Sequence, residues 1–186
     1  MRRIVILFVA MIMLSGCSGK GNDLQYAKDL RSKLQSADAL SFEAQITADY
    51  GKEIYTFLLK CEAVQQGDIH FEVLEPESIS GIAGKISGES GEITFDDKVL
   101  AFNTLADGYI SPVSSPWVMI NSLKSGYITS CGQAEDDYRI SLNDSYADDA
   151  LQLDVWVDSK GDLKQCDIFY KERRCLTIVV KNFTYL

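Results

Sequence analysis

The feature that most constrains the fold is a period-two alternation of apolar and polar residues that begins at Leu40. Leu40, Phe42, Ala44, Ile46 and Ala48 alternate with polar side chains, which is typical of a strand buried on one face. Short polar turns separate further segments of this kind at 53–63, 69–73, 127–131, 137–142, 151–158, 163–170 and 175–183. Such a series of strands and turns predicts a long antiparallel sheet.

An amphipathic helix is predicted just before the first strand. Leu24, Ala27, Leu30 and Leu34 recur at three- and four-residue steps within residues 23–36, and residue 22 or 23 can serve as the N-cap. A helix of this length is marginal alone, so we expect its apolar stripe to pack against the sheet.

A second, shorter helix is predicted within residues 111–126, between two groups of strands. Two serines followed by a proline at 114–116 are typical of a first helical turn, and Gly126 supplies an end. Trp117, Ile120 and Leu123 follow helical spacing between these signals.

Together these elements predict one domain over residues 23–186. We expect an α+β fold in which a curved antiparallel sheet of about 9–11 strands forms a half-open β-barrel, with both helices covering its concave face. Residues 79–91 are compatible with a loop or with a short strand, and residues 92–103 predict a hairpin that turns at Asp96 and Asp97.

The N-terminus has the pattern of a bacterial lipoprotein signal. Arg2 and Arg3 precede an apolar run over residues 4–14, which is too short to span a bilayer and fits a signal peptide. Leu-Ser-Gly-Cys at 14–17 resembles a lipobox, so we expect cleavage between Gly16 and Cys17 and lipid attachment to Cys17. The signal is then 1–16, and residues 17–22 form a short polar tether.

Charge and histidine content argue against several classes of function. The net charge is −9 and becomes −11 when Arg2 and Arg3 leave with the signal; so acidic a chain repels phosphate backbones, which argues against nucleic-acid binding. The only histidine, His70, is expected to face solvent, opposite its apolar strand neighbours, so no Ser-His-Asp relay or multi-histidine site is available. Acidic groups at 135–137, 144 and 148–149 lack calcium-loop spacing. We therefore expect no catalysis, no metal and no cofactor.

Four cysteines remain outside the tether: Cys61, Cys131, Cys166 and Cys175. An exported chain can oxidise them to one or two disulfides, whose pairing the sequence leaves open. Alternatively, all four are small buried apolar residues. Cys166 and Cys175 fall in consecutive strands and are expected to be diagonal rather than opposed.

Five apolar side chains are candidates for a cavity lining or a lid: Tyr55, Phe57 and Leu59 in the second strand, and Trp117 and Ile120 in the second helix. The alternative is that they fill an ordinary core beneath the sheet.

The order of elements resembles the lipoprotein-carrier fold of the LolA/LolB type. The likeness in letters lies in residues 151–158, 161–164 and 178–185, with Leu163 where the family commonly has proline. The layout is also similar to small Firmicute lipoproteins related to the germination lipoprotein GerS. The resemblance implies a half-open barrel whose interior holds acyl chains in carrier members, and a shell that supports a cortex-modifying amidase in GerS-like members.

Two functions follow as alternatives. The first is a non-enzymatic, membrane-anchored envelope lipoprotein that acts as a protein-interaction module, in the manner of a GerS-like partner of a cell-wall enzyme. The second is a carrier or sensor of a lipid or acyl ligand between sheet and helices, which needs a connected cavity of roughly several hundred Å³. In either case we expect a lipid anchor on the extracytoplasmic face of the cell membrane, or on the outer membrane of a host with two membranes.

Overall fold

The computed structural model describes residues 19–65, 67–86, 93–95 and 105–186. The predicted signal, Cys17 and the turn at Asp96 and Asp97 lie outside these residues. The described elements are helices α1 (Gly19–Ser36) and α2 (Ser115–Ser125), with strands β1 (Ala39–Asp49), β2 (Ile54–Val64), β3 (Ile69–Glu75), β4 (Ala83–Ile86), β5 (Ile93–Phe95), β6 (Tyr127–Ala134), β7 (Asp137–Asn143), β8 (Gln152–Val157), β9 (Leu163–Tyr170) and β10 (Arg173–Tyr185).

All ten strands belong to one antiparallel sheet, ordered β5-β4-β3-β2-β1-β10-β9-β8-β7-β6. Every neighbouring pair is consecutive in sequence except β1 and β10, which pair from Leu40 opposite Tyr185 to Ala48 opposite Leu176. Within the described residues β5 and β6 each have a strand on one side only, so the sheet is unclosed. The predicted fold class, a curved open antiparallel sheet with two helices, is confirmed.

One face of the sheet carries the core. Leu40, Phe42, Ala44, Ile46 and Ala48 of β1 are at most 1% exposed, as their alternation predicted. Matching rows from the neighbouring strands lie beside them and pack against buried residues of both helices. Burying a large aliphatic or aromatic side chain contributes about 1.5–3 kcal/mol, so this face supplies most of the stabilisation.

Helix α1 begins earlier than the sequence predicted. It starts at Gly19 rather than near Asp23, so residues 19–22 of the predicted tether are helical. Glycine disfavours helix, but adding residues to an existing helix costs less than starting one. Ala27, Leu30 and Leu34 are buried as expected, whereas Leu24 is exposed, so the stripe is one turn shorter than predicted.

Polar side chains of α1 fix its position against other elements. The Tyr26 hydroxyl donates to the Asp158 carbonyl at 2.6 Å, and its ring stacks on Tyr138 with centroids 3.8 Å apart. Burial, and next Asp158, raise the pKa of Tyr26, so it stays a neutral donor. Arg31 donates to the Leu123 and Gly126 carbonyls, both at 2.7 Å. These carbonyls at the end of α2 have no partner within their own helix, so α1 caps α2.

Helix α2 has the predicted position but a different start. Pro116 lies in its first turn and Gly126 follows its last residue. Ser114 precedes the first helical residue, yet its hydroxyl donates to the Ser111 carbonyl at 3.0 Å and makes no capping hydrogen bond to α2. The backbone of Ser114 is already helical, with φ −83° and ψ −15°, whereas a side-chain cap needs an extended residue.

The structure decides, for part of residues 79–91, between the loop and the short strand that the sequence allows. Pro76 follows the last residue of β3, and after a short turn the chain returns as β4, paired to β3 from Ile69 opposite Ile86 to Glu72 opposite Ala83. Residues 83–86 therefore form a short strand, which is one of the two alternatives.

Candidate functional site

The predicted cavity residues of β2 run from solvent into the core. Tyr55, Phe57 and Leu59 lie on the inward side of the sheet, because each pairs with a buried residue of β1. Tyr55 is 46% exposed, Phe57 is half-buried and Leu59 is fully buried. Tyr55 therefore lies at the outer end of its strand rather than against the interior.

The second group of predicted residues packs at the opposite end of β2. Trp117 and Ile120 face Ala63 and Val64, and the Trp117 indole N–H donates to the Gly67 carbonyl at 2.9 Å. At about 3.3 Å per residue, Ala63 lies roughly 26 Å along the strand from Tyr55. The structure thus does not bring the five predicted residues into one site.

The space beneath α2 is filled. The crevice that Trp117 and Ile120 share with β2 and β3 holds about 10 Å³, close to the least that one water requires. The largest fully buried side chains meet in this interior: Phe42, Leu34, Leu40, Ile46, Leu59, Ile69, Ile86, Ile110, Met119, Ile140, Leu142 and Leu153. Among the described residues, this part of the molecule is a packed core.

The four cysteines outside the signal and tether are free thiols in this structure. Cys61, Cys166 and Cys175 are buried and Cys131 is half-buried. Cys166 lies opposite Ile178 rather than Cys175, so those two are not directly opposed, as predicted. Burial raises the pKa of the Cys61 and Cys166 thiols, which keeps them protonated and unreactive.

The remaining polar candidates are dispersed. His70 is exposed on β3, between Glu62 of β2 and Lys85 of β4, as its place in the alternation predicted. Asp144 accepts from the Leu151 backbone N–H at 2.9 Å and so shapes its own loop. Across the described ranges, no three His, Cys, Asp or Glu side chains are grouped as metal ligands would be.

One exposed surface was not predicted as a unit. The tyrosine patch comprises Tyr50, Tyr55 and Tyr109, together with Tyr170, which is only 9% exposed and lies beside Tyr109. Tyr50 and Tyr170 line one pocket of about 220 Å³. The Tyr50 and Tyr55 rings meet edge to face at 5.7 Å, and the Tyr109 and Tyr170 centroids are 5.6 Å apart. The sequence signal was local and incomplete: Tyr50 and Tyr55 flank one turn, but no local pattern shows that Tyr109 and Tyr170 lie near them.

Acidic side chains hold the exposed rings of this patch. The Tyr55 hydroxyl donates to Glu53, and the Tyr109 hydroxyl donates to Asp149. These hydrogen bonds raise the pKa of both tyrosines. Each ring is thus fixed at its polar end, while Tyr55 and Tyr109 remain 46% and 56% exposed.

Comparison with known proteins identifies the N-terminus. Residues 1–18 match the prokaryotic membrane lipoprotein lipid attachment site. The chain carries the lipid attachment site of a membrane-anchored envelope lipoprotein. Neither described helix combines the length and apolarity needed to cross a bilayer. No curated protein matches the sequence.

Solved structures with a similar arrangement come from distant bacteria. An uncharacterized conserved protein from Thermus thermophilus is 11% identical with a TM-score of 0.45, covering 88% of this chain and 87% of its own. A LolA superfamily protein from Nitrosomonas europaea is 8% identical with a TM-score of 0.40, covering 86% and 93%. LprF from Mycobacterium bovis is 9% identical with a TM-score of 0.40, covering 89% and 94%. Likenesses this loose say nothing about ligand or partner.

Proposed function

We propose that this lipoprotein is a non-enzymatic interaction module of the cell envelope, whose tyrosine patch binds a protein partner. The observation that carries the proposal is the packing of the described residues beneath α2, where the crevice that Trp117 and Ile120 share with β2 and β3 holds about 10 Å³. An acyl carrier needs a connected cavity of roughly several hundred Å³ in such a place.

The chemistry of the tyrosine patch supports a protein as the partner. Tyrosine is enriched at protein interfaces because it buries a large ring while its hydroxyl stays hydrogen-bonded. Here Tyr55 and Tyr109 expose apolar ring surface. Ion pairs of Arg173 with Asp49 and of Lys171 with Asp107 lie beside them. An apolar centre with a charged border is the usual anatomy of such an interface.

The lipid attachment site indicates where in the cell envelope the proposed module would act. Cleavage between Gly16 and Cys17, followed by acylation of Cys17, would hold the domain at an extracytoplasmic membrane surface, since more than one acyl chain gives stable anchoring. That surface is the plasma membrane, or the outer membrane where the host has two. Helix α1 begins at Gly19, two residues after this cysteine, so the domain would stay close to the bilayer.

Site-specific photo-crosslinking of the full lipoprotein in its native membrane tests the proposal. A photoreactive residue at position 55 or 109 should give one discrete protein adduct. The same residue at Lys28, on the exposed side of α1, should give none. With the photoreactive residue at 109, Tyr55→Asp should abolish the adduct without unfolding, because Tyr55 is 46% exposed. Ile54→Asp, at an exposed position on the opposite face of the same strand, should leave the adduct unchanged. Equal labelling at 28 and 55, or an adduct that survives Tyr55→Asp, would contradict the proposal.

A further inference from the structure

The face of the sheet opposite the core carries an open groove of about 540 Å³ across β6 to β9. Its lining is polar, with one aromatic ring: Arg139, Asn143, Gln152, Asp154 and Phe169 are its principal side chains, and Glu172 closes one end. None of these residues takes part in the tyrosine patch or in the core beneath α2.

Three of these side chains form a row across adjacent strands. Asn143 of β7 is directly opposite Gln152 of β8, and Gln152 is directly opposite Phe169 of β9. Neighbouring strands lie about 4.8 Å apart, so two amides and a half-buried ring follow one another over about 10 Å. Neither amide makes a side-chain hydrogen bond to another residue in the described part of the chain, so both are available to a ligand.

Beside this row the groove has a fixed polar floor. Asp154 accepts from Arg139 at 2.7 Å and from Ser141 at 2.6 Å. Directly opposite, Asp167 is 5% exposed and accepts from Arg174 at 3.2 Å and Thr177 at 2.9 Å. Two facing carboxylates repel each other, and these donors hold both of them in place. The groups that line the groove are therefore set before any ligand arrives.

We propose that this groove binds a neutral saccharide chain, independently of the protein partner inferred above. Side-chain amides both donate and accept, as sugar hydroxyls do, and the Phe169 ring offers an apolar face for a sugar ring. The charged groups argue against an anionic ligand, because Asp154 and Glu172 outnumber Arg139. An extended peptide would add to an open strand edge such as that of β6, whereas Asn143, Gln152 and Phe169 lie on β7, β8 and β9, which are paired on both sides.

Surface plasmon resonance on the full lipoprotein in nanodiscs tests this site, with chitotetraose and cellotetraose as probes. We expect saturable binding of at least one probe with a Kd tighter than about 1 mM. Gln152→Ala and Phe169→Leu should each weaken it by about fivefold or more, since each removes one contact. Asn143→Ala should do the same without affecting folding, because its amide has no partner among the described residues.

The matched control is Gln45→Ala, an amide on the same outer face but on β1, where it accepts from Lys181. It should leave binding unchanged, and thermal unfolding should show that every variant is folded. Absence of saturable binding to both probes up to about 10 mM would overturn the proposal. So would an equal loss of binding in Gln45→Ala.

Discussion

Replacing Arg31 by methionine should uncouple the two helices. The Arg31 guanidinium donates through Nε to the Leu123 carbonyl and through a terminal nitrogen to the Gly126 carbonyl, both at 2.7 Å. Methionine keeps much of the apolar stem, so the change removes the charge and the two hydrogen bonds rather than the packing. Gln35 still donates to the Lys124 carbonyl at 2.7 Å, so the end of α2 loses part of its cap and not all of it.

The expected loss of stability follows from these two bonds. A hydrogen bond to a charged group contributes about 1.5–3 kcal/mol, and a cation at a helix C-terminus adds about 0.3–1 kcal/mol. Arg31 is only half-buried, so solvent screens both contributions, and the sum of their lower values, about 3 kcal/mol, is an upper limit. We expect the free energy of unfolding to fall by about 2–3 kcal/mol, against a typical total of about 5–15 kcal/mol.

Equilibrium urea unfolding measures this loss, and amide hydrogen exchange locates it. Exchange should accelerate in the last turn of α2 before it does in β1 and β10. Lys28→Met is the matched control, because it removes one positive charge from the exposed side of the same helix. A loss below about 0.5 kcal/mol, which is within the usual range for surface substitutions, would refute the capping role. So would equal losses in the two variants.

Three further changes test other features. Gly126→Ala should cost about 2 kcal/mol in chemical denaturation, because a Cβ there would lie 2.7 Å from the Asn143 carbonyl oxygen. Lys171→Asn combined with Glu172→Gly should gain about 1 kcal/mol, since both residues have φ near +60° in a two-residue hairpin turn. Burial is the chief cause that raises the pKa of Tyr185 from 10.0 to about 12. Its contribution to the free energy of unfolding should therefore be complete below pH 10 and decline as pH rises toward 12. Tyr185→Phe should weaken that decline in alkaline unfolding curves.

Each of these has an outcome that contradicts it. Wild-type stability in Gly126→Ala would mean that the close approach of α2 to β7 is absent. Loss of stability in the Asn-Gly variant would mean that the turn is not left-handed at 171 and 172. An unchanged alkaline transition in Tyr185→Phe would mean that this hydroxyl, which donates to the Gly161 carbonyl at 2.5 Å, is not protected by the fold.

Much of the sheet could be predicted because its signals are local. Alternation places β9 at 163–170, the residues that the structure assigns to it, while the next strand, predicted from 175, begins at Arg173. Strand ends elsewhere differ by one to three residues, as with β6, which continues to Ala134. Pairing lengthens a strand wherever a neighbour offers hydrogen bonds, and the sequence of one strand does not show how far its neighbour runs.

The candidate site was harder to predict because it depends on distant residues meeting. By spacing, Tyr55 and Trp117 each fit either a core or a cavity lining. In the structure Tyr55 lies at one end of β2, whereas Trp117 of α2 packs near the opposite end of β2. Leu24 fits the spacing of the helical stripe, but the surface on which the rest of α1 packs does not extend as far as Leu24. The tyrosine patch joins Tyr50 and Tyr55 with Tyr109 and Tyr170, which the β1–β10 pairing brings together.

Native mass spectrometry of the lipoprotein released from nanodiscs tests the filled interior most directly. Gentle activation should yield one species whose mass equals the chain from Cys17 plus its covalent acyl groups, with nothing lost on stronger activation. A stoichiometric lipid that dissociates at higher energy would contradict the account, because a crevice of about 10 Å³ cannot hold an acyl chain.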